Sequence, residues 1–141
     1  MTEKIIFRNI KKSDYQFLYD LLLQRRKIVN ISHKKMPTYE EHVNFVSSKP
    51  YSKWYIIEID GKRSGSIYLT KQNEIGIFLK EGLQKRGIGS KALIALMEKN
   101  SGLRYLANIN PKNLSSMNFF KKAGFTLIQY TYELKCDSLN D

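Results

Sequence analysis

The chain has 141 residues, 42% of them hydrophobic and 12% aromatic, which is enough for one domain with a real core. Its formal net charge of +11 asks for an anionic partner, whether nucleic acid, a membrane surface or a phosphorylated small molecule, although the basic residues are scattered rather than gathered in a run or tail. One cysteine, Cys136, excludes an internal disulfide framework, the two histidines add no metal-ligand spacing, and no apolar run approaches the roughly 20 residues that cross a bilayer.

Met1 to Lys4 carries no signal-peptide pattern, so the expected location is cytoplasmic. Lys4 to Ile10 reads as a first strand. Ser13 and Asp14 are helix-start residues, and Tyr15 to Leu23 continues as a helix with apolar positions every three to four residues, ending near Arg26. The segment Asn30 to Pro37 is dense in hydrogen-bonding groups and breaks regular structure. Thr38-x-x-Glu41 is a capping box, which starts a second helix over Tyr39 to Ser47. His42 is expected on that helix's surface.

Trp54 to Ile59 and Arg63 to Leu69 read as two strands joined by the hairpin signal Asp60-Gly61. Lys71-Gln72-Asn73 turns into a third strand of the same group, Glu74 to Leu79. A helix follows from residue 87 to about 99 and stops at Ser101-Gly102. Arg104 to Asn110 reads as a fifth strand, closed by Pro111. Asn113 caps a helix over Leu114 to Ala123, ended by Gly124, and Phe125 to Leu134 reads as a final strand. No repeat, linker or low-complexity segment interrupts the single domain, residues 1–141.

Chemistry concentrates in Gln84-Lys85-Arg86-Gly87-Ile88-Gly89-Ser90, a strand-to-helix turn. Glycine lets the backbone approach a ligand closely. The first N–H groups of the helix have no internal partner and carry the positive end of its dipole, and Lys85 and Arg86 add full charges. The combination suits a phosphate or pyrophosphate; a plain tight turn would use the same glycines. Neither the dinucleotide fingerprint nor the P-loop fits, because a third glycine and a Gly-Lys-Ser/Thr are missing.

Gln84, Gly87 and Gly89 do fill the Gln/Arg-x-x-Gly-x-Gly/Ala signature, and here the chain resembles the GNAT superfamily of acyl-CoA-dependent N-acyltransferases. The resemblance extends over nearly the whole chain. The element order β-α-α-β-β-β-α-β-α-β is that of the superfamily. Asn113, Ser116, Phe119, Phe120, Gly124 and Phe125 match a second family pattern. The implied fold is a mixed α/β one: a central, mostly antiparallel twisted sheet with helices on both faces.

By resemblance, the function is transfer of an acetyl group from acetyl-CoA to a primary amine by direct attack. Amides from Lys85 to Ser90, with Ile88 and Gly89 among them, would grip the pyrophosphate, and Gln84 would shape the turn. Backbone groups of Ile77, Phe78 and Leu79 would pair with the pantetheine arm where the 108–110 strand splays away. Asn113 would bond the arm, Phe120 would flank it, and Lys121 or Lys122 would meet the 3′-phosphate. Glu74 is the candidate base, placed on one strand face with Gly76 and Phe78. The family's usual proton-donating tyrosine is replaced by Phe120. Tyr39, Tyr130 and Tyr132 remain open as substitutes.

His33 and Tyr39 from the loop between the first two helices, with Asn108 and Asn110 sharing one face of their strand, are the candidate acceptor contacts. Their polar, basic setting suits a nucleotide-linked amino-sugar better than an apolar amine. No metal or membrane is implied. The short C-terminus leaves room for one strand, which would open the pocket or offer an edge for a homodimer. Two other readings compete. A CoA-holding domain without catalysis is favoured by Phe120 and opposed by the intact loop and Glu74. A nucleic-acid binder rests on charge alone and lacks a recognition helix or an aromatic platform.

Overall fold

Strands β1 (Ile5–Asn9), β2 (Lys53–Ile59), β3 (Lys62–Leu69) and β4 (Ile75–Leu79) form one antiparallel sheet in the order β1-β2-β3-β4. The computed structural model describes residues 4–26, 36–84, 86–102 and 104–136. Asp60 and Gly61 both adopt positive φ, 50° and 82°, as a two-residue hairpin between right-twisted strands requires. A bulge at Ile57/Glu58 then shifts the β2–β3 register, so that Gly65 faces Ile57 and Arg63 faces Glu58.

Among the described residues four α-helices flank the sheet: α1 (Tyr15–Arg26), α2 (Tyr39–Ser47), α3 (Ile88–Lys99) and α4 (Leu114–Lys122). The period of two along each strand sends side chains to opposite faces. Tyr55, Ile57, Ile59, Ile67, Leu69 and Ile75 pack with Ile88, Ala92, Leu93 and Leu96 of α3. Ile56, on the other face, packs with Leu18 and Leu21 of α1 and Val46 of α2. Each fully buried leucine or isoleucine is worth roughly 1.5–3 kcal/mol, so both layers are needed. The expected capping box forms: Glu41 N–H donates to Thr38 Oγ1 at 3.1 Å, and Thr38 N–H donates to Glu41 Oε1 at 2.9 Å.

Asp14 does more than start a helix. Its carboxylate, 1% exposed, accepts two hydrogen bonds from Arg8 of β1 at 2.8 and 3.0 Å, one from Arg63 of β3 at 3.4 Å and one from Lys11 N–H at 2.8 Å. Arg8 also donates to Glu58 at 2.9 Å. Burial pushes the Asp14 carboxyl up, but the bonds from Arg8 and Lys11 and the guanidinium charges outweigh it and hold the pKa below the usual value. The two carboxylates raise the Arg8 pKa in turn.

Three expectations are corrected. His42 is not a surface residue: it is 5% exposed, donates through Nε2 to the Tyr15 carbonyl at 3.1 Å and packs against the Tyr19 ring, because α2 lies on α1 through this position. Residues 104–110 do not form a regular strand. Leu106 alone bridges to β4, its N–H donating to the Asn73 carbonyl and its carbonyl accepting from Ile75 N–H, both at 2.8 Å. Residues 125–134 form no strand, since no neighbouring strand among the described residues offers them a ladder.

Candidate active site

The site lies where β4 loses its outer neighbour. Hydrogen-bonded pairs alternate along an antiparallel ladder. Thr70 N–H donates to the Glu74 carbonyl and Lys80 N–H to the Ser64 carbonyl, both at 2.8 Å, so the even-numbered residues of β4 turn their backbone groups to β3. Ile75, Ile77 and Leu79 turn theirs outward. Ile75 meets Leu106, and beyond it the N–H groups of Ile77 and Leu79 meet no backbone partner among the described residues. An open strand edge of this kind accepts an extended, amide-bearing ligand. Phe78 differs from its two neighbours: its backbone belongs to the β3 ladder, and its ring lies 5.6 Å from that of Tyr68.

The loop after β4 is built by its own side chains. Gln84 Nε2 donates to the Leu79 carbonyl at 3.0 Å, and its Oε1 accepts from Gly82 N–H at 3.0 Å. Gly87 adopts φ 77° at the N-cap of α3, a conformation that favours glycine, and has no side-chain cap. The N–H groups of Ile88, Gly89 and Ser90 precede the first intrahelical bond, from Lys91 N–H to the Gly87 carbonyl. No acidic residue occupies this first turn, and Arg86, Ser90 and Lys91 are exposed around it. Gly89 serves packing as well: a Cβ there would lie 3.2 Å from the Phe119 ring. Lys85 and His33 lie outside the described residues.

α4 closes the same side. Asn113 is 7% exposed and spends its Oδ1 on the cap, accepting from Ser116 N–H at 3.1 Å, which leaves Nδ2 for another acceptor. The Phe120 ring stacks edge-on between Phe119 and Phe125, with centroids 5.0 and 5.1 Å away. Lys121 and Lys122 are exposed in the last turn.

On the face that Glu74 shares with Gly76, Asn108 Nδ2 donates to Glu74 Oε2, and Thr70 Oγ1 donates to Glu74 Oε1 at 3.2 Å. The Glu74 carboxylate is thus oriented by two donors. Asn110 is not part of this pair; its Oδ1 accepts from Lys112 N–H at 2.9 Å inside a turn. Tyr39 sits apart on α2, edge-on to Tyr19 at 5.4 Å. Tyr130 and Tyr132 are 75% and 90% exposed on the C-terminal segment.

Sequence reasoning missed Tyr68. It stands opposite Gly76 in the β3–β4 register, and a Cβ at Gly76 would fall 2.2 Å from its ring and 2.5 Å from its hydroxyl. Glycine two residues after a candidate base was the available signal. Tyr68 continues into an aromatic row: Tyr51 stacks on it at 3.9 Å, and Trp54 packs edge-on to Tyr51 at 4.6 Å. Tyr51 and Trp54 line a hollow of about 300 Å³ with Asn9, Ile10, Val46 and Lys49. A neighbouring hollow of about 250 Å³ shares Ile10, Val46 and Lys49 and adds Lys11, Lys12 and Tyr15. An aromatic wall with a basic rim leads from these hollows toward β4.

Among the described residues there is no group of three or more acidic, histidine or cysteine side chains set to hold a metal, and no helix long and apolar enough to cross a membrane.

Comparison with known proteins agrees on the fold. The model of the acetyltransferase (GNAT) family matches residues 15–125. No curated protein sequence matches the chain. Among solved structures, a domain from Methanocaldococcus jannaschii DSM 2661 is 26% identical, with 94% of each chain covered and a TM-score of 0.77. RimL, a ribosomal L7/L12 alpha-N-protein acetyltransferase solved with coenzyme A, is 21% identical, with 89% of this chain and 81% of that one covered and a TM-score of 0.68. The microcin C7 self-immunity acetyltransferase MccE, solved with acetyl-CoA and AMP, is 17% identical, with coverages of 89% and 80% and a TM-score of 0.66.

Proposed function

The chain belongs to the GNAT acetyltransferase family, and from that premise we propose that it transfers an acetyl group from acetyl-CoA to a primary amine, with Glu74 as the base that accepts the amine's proton. The observation that carries this reading is the juxtaposition on one strand: an oriented carboxylate at Glu74, and the outward N–H groups of Ile77 and Leu79, which meet no backbone partner among the described residues.

The residues present suit coenzyme A. Its pantetheine arm is an extended chain with two amides, which the outward N–H groups of Ile77 and Leu79 would meet as a strand would. The Nδ2 of Asn113 is a further donor, and Phe120 gives the arm an apolar wall. Its pyrophosphate would lie on the N–H groups of Ile88, Gly89 and Ser90, where the helix dipole and Arg86 favour negative charge. Lys121 and Lys122 would face the 3′-phosphate. When bound, acetyl-CoA supplies the activated acetyl thioester.

The chain's own residues do the rest. Glu74 takes a proton from the attacking amine, and Asn108 and Thr70 hold its carboxylate in place for that transfer. An amide of the β4 edge would stabilise negative charge developing on the carbonyl oxygen. The Tyr68 hydroxyl, beside Gly76, offers the amine a hydrogen bond.

For the acceptor, the reading is a nucleotide-linked amino-sugar. The aromatic wall of Tyr51, Trp54 and Tyr68 suits the faces of a sugar or base, and Lys11, Lys12 and Lys49 on the rim suit a phosphate. The test is thiol release from acetyl-CoA with a nucleoside-diphosphate amino-sugar, the same sugar without the nucleotide, and a peptide with a free N-terminus. Turnover with the first alone supports the acceptor assignment. Turnover with the peptide alone overturns it and leaves the transferase reading standing. No thiol release with any amine, in a protein whose melting temperature acetyl-CoA does not raise, overturns both.

A further inference from the structure

The turn between β4 and α3 is held from three directions. Lys80 N–H donates to the Ser64 carbonyl at 2.8 Å and so continues the β3–β4 ladder. Leu83, half-buried, packs on the core that α3 shares with the sheet. Between them the Glu81 N–H donates to Gln24 Oε1 at 2.9 Å, in the last turn of α1. The other two amides are served from within the turn: Gly82 N–H by Gln84 Oε1 at 3.0 Å and Leu83 N–H by the Lys80 carbonyl at 3.1 Å. The bond from Gln24 is of a different kind, because it comes from another element, 57 positions away in sequence.

Two points of attachment leave a turn free to rock about the line that joins them, and a third off that line stops it. Lys80 and Leu83 supply two, and Gln24 supplies the third. α1 can act as the fixed end because Leu18 and Leu21, both buried, lock it to Ile56 of β2 beside Phe78 of β4. The gain is in direction more than in stability. Gln24 and Glu81 are exposed, so water would satisfy the same amide in place of the side chain. Water would not hold the turn in one place. The stretch from Gln84 to Gly87 starts from this turn, and it brings Arg86 to the amides that open α3.

We propose that Gln24 is a positioning residue for cofactor binding: its side-chain carbonyl ties the turn to α1 and so sets where Arg86 stands relative to the α3 amides. The inference rests on the coenzyme A reading above, in which those groups hold the pyrophosphate. It adds to that reading a residue of α1, a helix that supplies none of the binding groups. Such groups keep their full effect only when held within about 0.5 Å of the productive geometry, and residues behind them do the holding.

Gln24→Met in the full chain tests this, because methionine keeps the length of the side chain and removes the acceptor. Three measurements are made: exchange of the Glu81 amide in the free protein by NMR, the Kd for coenzyme A by calorimetry, and kcat and KM for acetyl-CoA with whichever amine releases thiol in the assay above. The Glu81 amide should exchange at least about threefold faster. Kd and KM should rise about three- to tenfold, the effect of one neutral hydrogen bond, with kcat and the melting temperature of the free protein little changed. An unchanged Kd beside faster exchange overturns the proposal, since the bond would exist without directing the cofactor groups. Unchanged exchange overturns it as well, because the bond would not persist in solution. Losses of kcat and melting temperature in step with Kd would give Gln24 a structural role only, and so overturn it too. A parent chain that binds no coenzyme A sinks the cofactor reading itself, and the exchange measurement then still reports the Gln24–Glu81 bond.

Discussion

Asn108 donates its side-chain amide to Glu74, reaching across from a segment whose one backbone bridge to the β4 side among the described residues is at Leu106. The residues are 34 apart in sequence. With Thr70 on the other carboxylate oxygen, Asn108 fixes where the Glu74 lone pairs point. Glu74→Gln should lower kcat by about 10²–10⁴-fold while leaving the affinity for coenzyme A unchanged, since the amide keeps the shape and loses the basicity. Asn108→Leu should lower kcat less and change the pH profile of kcat, because the base remains and its orientation is lost. A full-rate Glu74→Gln enzyme would remove Glu74 from the chemistry.

Ser90 is exposed in the first turn of α3, where no acidic residue is present. Ser90→Glu puts a negative charge at the proposed pyrophosphate position and should weaken coenzyme A binding by at least about tenfold, roughly 1.4 kcal/mol, with melting temperature little altered. Ser90→Ala should bind as the parent does. Calorimetric titration of both variants checks this, and equal affinities would place the cofactor elsewhere.

Gly76 has no room for a side chain beneath Tyr68. Gly76→Ala should destabilise the fold by about 1–3 kcal/mol through overpacking. Combining it with Tyr68→Ala should recover part of that loss, because the ring that a Cβ would meet is gone. A double-mutant cycle by urea denaturation measures the coupling, and strict additivity would contradict the contact.

Asp14 is the one acidic group that Arg8 and Arg63 share. Asp14→Ala should cost about 1–3 kcal/mol, since it removes a buried acceptor from the Lys11 N–H and from the partly exposed Arg8 and Arg63 guanidiniums. The folded-state pKa of Asp14 lies below its unfolded value, so its contribution is complete above the unfolded pKa, near 4, and is lost as pH falls through the folded value. The parent's denaturation midpoint should therefore drop in strong acid more steeply than that of Asp14→Ala.

His42 titrates in a milder range. Burial lowers its pKa, and the bond to the Tyr15 carbonyl opposes this only in part. The unfolded chain then binds a proton below about pH 6.5 that the folded chain resists, so stability falls as pH drops from there through the folded pKa. Stability of a His42→Gln variant should be flatter below about pH 6.5 than that of the parent. Parallel slopes would show that another group governs this range.

Much of this was legible in the chain alone. Local signals act through nearest neighbours: the Thr38/Glu41 box, the Asp60-Gly61 hairpin, the Gly87 turn and the Asn113 cap all form from residues within a few positions of one another. The period of apolar residues separated strands from helices, and the spacing of Gln84, Gly87 and Gly89 pointed to the family. The sequence could not show that Asn108 and not Asn110 meets Glu74, because that depends on where an isolated bridge at Leu106 holds the segment. Nor could it show that His42 is inside, since an α2 position becomes buried only when α1 lies against it.

The sequence by itself determined the four strands and four helices that form, the glycine turn and the family, because hydrogen bonding and hydrophobic periodicity at short range are written in consecutive residues; the same periodicity also marked strands at 104–110 and 125–134 that find no ladder among the described residues. Tertiary structure alone decided which groups meet. It put Asp14 between two arginines, set Tyr68 over Gly76, left Ile77 and Leu79 facing an open edge and kept residues 126–134 off the sheet. Each of these depends on elements distant in sequence coming together, and on whether a backbone N–H finds a partner once they have done so.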